Sequence, residues 1–470
     1  MRQSKSVLRF FRLNDPYRLF GVLLVMTLMA LPLFINEPAN TVSELKTIIL
    51  GETLNAGKTM YSQVVDDTPW LAAGFAKCVD FMFGRSLLAR HILALLLLFF
   101  QAAFFSFILI RNRAYNENNY LPALIFGLLC FFSFDMLTLS NELLASTFVL
   151  FALNNLFKEI EFKVQRDEIV LNLGFFLGLA SLFVFSFGIF LIGSLVVLLV
   201  FARLDLRKSL MLFFGFLLPH LLLLTLYYFR ENLPEIGSYF YGTNFTFHTI
   251  DFISWKSMMW LGSAIVIYFL FSMIMLGREA RFTKYQGQLL QVMLLWLLIS
   301  FIGIIIARER SPHSFITLIP SLTYFISHYL LLIRRKWIAE IMLWIFLISI
   351  VGISTTARFQ RFQKVDYSNL FLKKSEYDFV NKKVLILNDE IEVYQNNRVA
   401  SFFLNWNLSQ NIFQLNDYYH DLVLIEESFQ MDPPDIIIDE KNLMKKVFSR
   451  LPDLQKRYER KGIFYKRKSN

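Results

Sequence analysis

The sequence predicts a polytopic α-helical membrane protein with a small α/β domain at its C-terminal end. Three observations lead there. The chain is 56% hydrophobic and only 18% charged, against about 45–50% and about 25% in an ordinary soluble domain. Its apolar residues, 52 phenylalanines among them, gather in runs of about twenty, the length that crosses a bilayer as a helix. Beyond residue 356 that pattern gives way to short aliphatic runs ended by acids.

The apolar runs place about eleven spans, at 18–35, 89–110, 120–138, 143–157, 169–185, 187–202, 210–229, 258–276, 288–306, 314–333 and 338–356. The stretch 169–202 is too long for one helix, so a tight turn is expected near Ser186–Gly188. Lys and Arg in short loops stay cytoplasmic. The cationic clusters are Arg2, Lys5, Arg9 and Arg12; Arg111 and Arg113; Lys158, Lys163 and Arg166; Arg203, Arg207 and Lys208; Arg278, Arg281 and Lys284; and Arg334, Arg335 and Lys336. Eleven spans with the N-terminus inside put every one of them on the cytoplasmic face. These clusters also account for much of the net charge of +10, so no nucleic-acid partner is implied. The first apolar run is long and lacks a small-residue cleavage site before the next polar stretch, so it reads as an uncleaved helix rather than a signal peptide. Cys78 and Cys130 fall in an outer loop and in a span, and no disulfide is expected between them.

This topology divides the chain into a membrane domain, 1–356, and an extracytoplasmic α/β domain, 357–470. It gathers the larger features on the outer face: the loop 36–88, the loop 230–257, the link Arg308–His313 and the tail. The first loop is expected to form two amphipathic helices lying at the lipid interface. Residues 43–55 set Leu45, Ile48, Ile49 and Leu54 near one face, and Gly57 suits a helix stop. The second helix starts at DTPW, with Thr68 as N-cap and Pro69 in the first turn, and ends at Gly84. Its apolar stripe is Trp70, Leu71, Phe75, Cys78, Val79 and Met82. In the tail, 382–389, 433–440 and 463–468 read as strands. The stretches 399–408, 417–430 and LMKKVFSRLPDLQKRYERKG read as helices. No glycine-rich phosphate loop follows either of the first two strands, which argues against a nucleotide site there.

The order of parts resembles the GT-C superfamily of integral-membrane glycosyltransferases, and specific segments carry the resemblance. The stretch ELKTIILGETLNAGKTMYSQVVDDTPWLAAGFAKCVDFMFGRSLLAR is similar to the first-loop pattern of bacterial mannosyl- and aminoarabinose-transferase relatives. In that pattern an acid is followed by a helix, G–x–x–x–Y, an acidic proline-bearing turn, a second helix and FG–R/x–S. ARERSPHSFITLIPSL is similar to their late arginine-rich segment, and LILND, PPDIIIDE and RLPDLQKRY are similar to the tail of some members. The resemblance implies a GT-C-like fold in a bacterial inner membrane, with a periplasmic tail. It also implies a polyprenyl-phosphate sugar as donor and an extracytoplasmic glycan, lipid or protein as acceptor. One feature departs from the pattern. Many members carry adjacent acids just after the first span, whereas INEPANTVSEL holds the single acids Glu37 and Glu44. The adjacent pair Asp66–Asp67 comes later. Two outcomes stay open: an enzyme that uses Glu44, or an inactive scaffold holding an envelope-assembly or secretion partner.

Sugar transfer from a lipid phosphate needs a carboxylate for the acceptor proton and cations for the leaving phosphate. Glu44 is the first candidate for the base and Glu37 the second. Asp66 and Asp67 are candidates for acceptor contact, or for the base if the first two fail; two adjacent carboxylates repel, which would raise one pKa, and the plainer account is a solvated turn. Arg308, Arg310 and His313 are candidates for the donor phosphate, because guanidinium forks suit phosphate oxygens; an ion pair to Glu309 is the plainer alternative. Asp135, inside the third expected span, has two readings: an ion pair with an arginine of that link, or a supporting role in the site. Tyr61, the tyrosine of the first-loop pattern, is a supporting residue. His220 follows Pro219 and reads as a hydrogen-bonded residue in a bundle. No histidine spacing fits zinc, and a divalent metal on the outer acids is left open. Internal repeats would point to a transporter, and none is evident.

Overall fold

The computed structural model describes residues 6–36, 40–161, 167–202, 205–246, 249–279, 282–415 and 417–468. They form two compact units. One comprises Met1–Pro38, Leu87–Leu222 and Phe247–Leu370, and the other Ala39–Ser86, Leu223–Thr246 and Phe371–Asn470.

Seven helices among the described residues are long and apolar enough to cross a membrane: Arg18–Ile35, Leu87–Arg111, Asn141–Ile160, Leu206–Phe229, Lys284–Ile306, Pro312–Leu332 and Lys336–Arg358. Trp255–Leu261 and Ser263–Glu279 make an eighth if they are one span bent by 63°. The chain is a multi-pass α-helical membrane protein. Three of the eleven expected spans are shorter helices: Leu121–Leu129, Asp167–Ser181 and Ile189–Phe201. A straight crossing takes about twenty residues. The run 120–138 stops being helical after Leu129 and resumes as a 3-10 turn, Phe134–Leu137, which carries the buried Asp135. The turn expected near Ser186–Gly188 is present as a 3-10 turn over Phe185–Gly188.

Within the first unit the helices approach closely where glycines allow it. A Cβ added to Gly174 would meet the backbone oxygen of Leu212, and one on Gly215 that of Leu171. Small residues let membrane helices meet at backbone distance, where dispersion between the chains is strongest. His220, on the same helix as Gly215, shares a hydrogen bond of 2.8 Å with the Ser181 hydroxyl. A short parallel ladder joins β1 (Ile250–Asp251) to β2 (Glu309–Arg310).

The second unit is built on a five-stranded sheet of β3 (Lys383–Ile386), β4 (Arg398–Val399), β5 (Ile436–Ile438), β6 (Tyr458–Lys461) and β7 (Phe464–Arg467), in the order β4-β3-β5-β7-β6. The pairs β4–β3 and β3–β5 are parallel; β5–β7 and β7–β6 are antiparallel. Strand side chains alternate between faces, and both faces are covered. Leu385, Leu387 and Ile437 pack with Phe402, Phe413, Phe429 and Phe448 on one side. Val384, Ile386, Ile436 and Ile438 pack on the other side with Leu45 and Ile49. Those two belong to the first-loop helix Val42–Asn55. That helix was expected to rest on lipid, and its apolar stripe instead covers a sheet face that the tail would otherwise leave to water.

The second loop helix, Trp70–Phe83, buries Ala72, Ala73 and Ala76, and of its expected stripe only Val79. The reason is Gly51: a Cβ there would stand 2.6 Å from the oxygen of Ala76, so the small faces of the two helices meet. Pro69, not Thr68, is its N-cap. Gly57 and Gly84 both take positive φ, as stop residues do. In the tail, 399–408 is not one helix: it enters as β4, and a helix begins only at Trp406. The long helix expected after Asn442 breaks at Pro452, and its final residues form β6.

Candidate functional site

The late link, in the first unit, is fixed by backbone and side chains together. Ile250 donates to the oxygen of Arg308 at 2.7 Å and Phe252 to that of Arg310 at 3.0 Å. The ladder delivers Arg310 to Asp251, Nε to Oδ1 at 3.0 Å, and its guanidinium lies 5.4 Å from the centre of the Trp255 ring. Arg308 is half-buried one residue before the ladder. The helical segment that follows, Pro312–Leu332, brings His313 inward at its first turn. Its Nε2 is 3.0 Å from Oδ2 of Asp135 and 2.9 Å from Oγ1 of Thr138.

The Thr138 hydroxyl also donates to the backbone oxygen of Asp135 at 2.8 Å, so Nε2 of His313 lies between that hydroxyl and the Asp135 carboxylate. Glu142 is within electrostatic reach of His313, Asp135 and Glu309. The expected pairing of Asp135 with an arginine is thus corrected: His313 takes that place, because the 3-10 turn and the first turn of Pro312–Leu332 bring these two groups together. Arg310 pairs with Asp251, not with Glu309. The cluster offers a guanidinium for an anion beside a buried carboxylate–imidazole pair.

The first-loop acids belong to the second unit. Glu44 is the third residue of its helix and closes a capping box. Its Oε2 accepts from the amide of Thr41 at 3.1 Å and from the Thr41 hydroxyl at 2.9 Å. Asp66 is buried; its Oδ2 accepts from the Thr68 hydroxyl at 2.5 Å. Asn405 donates through Nδ2 to Oδ1 of Asp67 at 2.9 Å and to Oδ1 of Asp66 at 3.3 Å. Tyr61, fully buried with φ +67°, donates its hydroxyl to the oxygen of Thr68 at 2.8 Å. Burial pushes its phenol well above the usual range, so it stays a donor. Glu37 lies outside the described residues.

Several residues here were not singled out by sequence reasoning. Arg85, of the FG–R–S segment, grips Glu52 with Nε to Oε1 at 2.5 Å and Nη2 to Oε2 at 2.7 Å. It also donates to the carbonyls of Tyr394, Gln395 and Asn397. Asp432 accepts from both Lys58 and Lys383, each at 2.6 Å. A basic residue flanked by glycine after a helix was the available signal for Arg85. Asn405 gave none, since it lies 339 residues from Asp66. Among the described residues, no group of three or more His, Cys, Asp or Glu is placed to hold a metal ion, and both cysteines are free.

No family model and no curated protein matches the chain. Three solved structures align with it. One is ArnT from Cupriavidus metallidurans bound to undecaprenyl phosphate, at 13% identity and TM-score 0.48, covering 72% of this chain and 62% of that one. The chain therefore spans 62% of the ArnT length. The Archaeoglobus fulgidus oligosaccharyltransferase in its apo form aligns at 9% identity and TM-score 0.49, covering 94% of this chain and 73% of that one. The oligosaccharyltransferase AglB of the same organism, in complex with an inhibitory peptide and a dolichol-phosphate, aligns at 9% identity and TM-score 0.45, covering 96% and 74%.

Proposed function

We propose that the chain is a GT-C-type membrane glycosyltransferase that moves a sugar from a polyprenyl-phosphate carrier to an extracytoplasmic glycan, lipid or protein. The observation that carries this reading is the late link. Arg310 is fixed at the head of the apolar helical segment Pro312–Leu332 by the β1–β2 ladder and by Asp251, beside the buried Asp135–His313 pair. A lipid phosphate leaves its charge at the end of an apolar stretch, and a guanidinium held there stabilises that charge as the sugar departs. In this reading Arg308, Arg310 and His313 hold the phosphate, and Asp135 keeps the imidazole oriented. A carboxylate of the first loop, Glu44 before Glu37, takes the acceptor proton, and Asp66 and Asp67 contact the acceptor. The N-terminus lies in the cytoplasm of a bacterium and the sheet-bearing unit in the periplasm, as the cationic clusters suggest.

A second reading is supported by Glu44 itself. A carboxylate that closes a capping box already has a structural role, which suits a non-catalytic scaffold for an envelope partner. Purified chain in lipid, given polyprenyl-phosphate sugars, separates the two. The enzyme releases polyprenyl phosphate and loses about 100-fold or more on Arg310→Gln, the scale of a removed charge stabiliser. Release indistinguishable from a protein-free control favours the scaffold.

A further inference from the structure

At one end of the five-stranded sheet, a groove of about 500 Å³ is lined by Lys382, Lys383, Arg398, Asp435 and Arg467. We propose that it binds a phosphate-bearing anion, and it would do so whether or not the chain transfers sugar. The cations come from the starts of β3 and β4 and the end of β7. Lys383 and Arg398 are direct partners across two parallel strands, about 4.8 Å apart. Like charges so placed repel and weaken the pairing. Lys383 is relieved by Asp432. Lys382, Arg398 and Arg467 form no side-chain hydrogen bond or ion pair among the described residues.

The one acid of the groove does not cancel them. Asp435 is bound into the sheet end. Its Oδ2 accepts from the amide of Lys383 at 3.0 Å, and its backbone joins Lys383 and Arg467 at 2.8 and 2.9 Å. It thereby fixes the spacing of the cations. Charge along an edge strand commonly guards against edge pairing. Here the charge runs across strand ends, from β4 at the edge through β3 to β7, which edge protection does not call for. Two arginines with their planar forks uncommitted suit the oxygens of a phosphomonoester or diester. The phosphate could belong to a soluble molecule or to a lipid headgroup.

The test uses the full chain in nanodiscs of neutral phosphatidylcholine, titrated calorimetrically with inorganic pyrophosphate. A parallel arm uses detergent-solubilised chain and short-chain phosphatidylglycerol. Saturable binding of pyrophosphate identifies a soluble phosphate; binding of phosphatidylglycerol alone identifies a headgroup. In either arm Arg398→Gln and Arg467→Gln are each expected to weaken binding about tenfold, the loss of one charge-assisted contact. Lys445→Gln, an exposed lysine on the helix Leu443–Arg450, is expected to leave binding unchanged. Absence of saturable binding in both arms overturns the proposal. So does an equal loss on Lys445→Gln, which would mean that only diffuse charge is sensed. Thermal unfolding of each variant, unchanged from the parent, keeps a binding loss from being a folding loss.

Discussion

Nε2 of His313 stands 3.0 Å from Oδ2 of Asp135, with the two side chains 3% and 0% exposed. The two residues are joined by the fold, not by sequence proximity. A carboxylate with no access to water is costly unless it is paired. Removing His313 leaves the buried Asp135 carboxylate without its ion partner, and removing Asp135 takes the carboxylate from a buried imidazole. Asp135→Ala or His313→Ala is therefore expected to destabilise the chain by about 3–5 kcal/mol. The double variant should cost less than the sum of the two, with a coupling above about 1 kcal/mol. Chemical unfolding in detergent micelles measures this, and additive losses would mean that the contact is not an energetic one.

Glu44 allows its two roles to be separated. Glutamine also closes a capping box, so Glu44→Gln is expected to leave the thermal midpoint near that of the parent. Glu44→Ala should lose about 0.5–1.5 kcal/mol. If the carboxylate also takes a proton from the acceptor, the Gln variant loses about 100-fold or more in transfer while staying folded. An active Gln variant would leave Glu44 with the cap alone.

Arg85 makes a sharper demand on side-chain shape. Its fork meets both oxygens of Glu52 and the carbonyls of Tyr394, Gln395 and Asn397. The pairing with Glu52 raises its pKa further, so it is charged at any working pH. Lysine cannot span that set. Arg85→Lys is expected to lose most of what Arg85→Ala loses, about 2 kcal/mol for a half-buried charged network. Rescue by lysine would reduce the contact to simple charge. Glu52→Ala should behave like Arg85→Ala.

Asp432 sets an acid limit. Burial by itself would raise its carboxyl, but hydrogen bonds from Lys383 and Lys58 outweigh that and hold it below the usual carboxylate range. A lowered native pKa contributes stability above the unfolded value, about 3.9. That contribution disappears as pH falls through the lower native value. The stability of the parent should therefore drop below about pH 4 more steeply than that of Asp432→Asn. Parallel slopes for the two proteins from pH 6 to pH 3 would contradict this.

The membrane helices were legible because about twenty apolar residues have few other uses. The run 120–138 was drawn too long because hydropathy cannot see a 3-10 turn inside an apolar run, as at Phe134–Leu137. Strands β3, β5 and β7 were legible as short apolar runs, but β4, β6 and what covers the sheet were not. Leu45 and Ile49 look equally suited to lipid and to a sheet face, and only tertiary packing chose the sheet. Gly51 gave no warning that the alanine face of Trp70–Phe83 would be buried. At the candidate site the cations of the late link were visible in sequence. Their partners Asp251 and Thr138 were not, since a contact between distant segments leaves no local pattern.

The glycine contacts offer a test of close helix packing. Gly174 and Gly215 each face a backbone oxygen of the neighbouring helix, which cannot move aside as a side chain can. Gly174→Ala and Gly215→Ala should each destabilise by about 1–3 kcal/mol through overpacking. An unchanged midpoint would place these helices further apart than described.

The most direct measurement is release of polyprenyl phosphate from a polyprenyl-phosphate sugar by the purified chain in lipid, with Arg310→Gln and Arg310→Lys alongside. A catalytic late link predicts turnover in the parent, a loss of about 100-fold or more in the Gln variant, and partial recovery in the Lys variant. Turnover that survives Arg310→Gln undiminished would contradict the assignment of the leaving phosphate to this link.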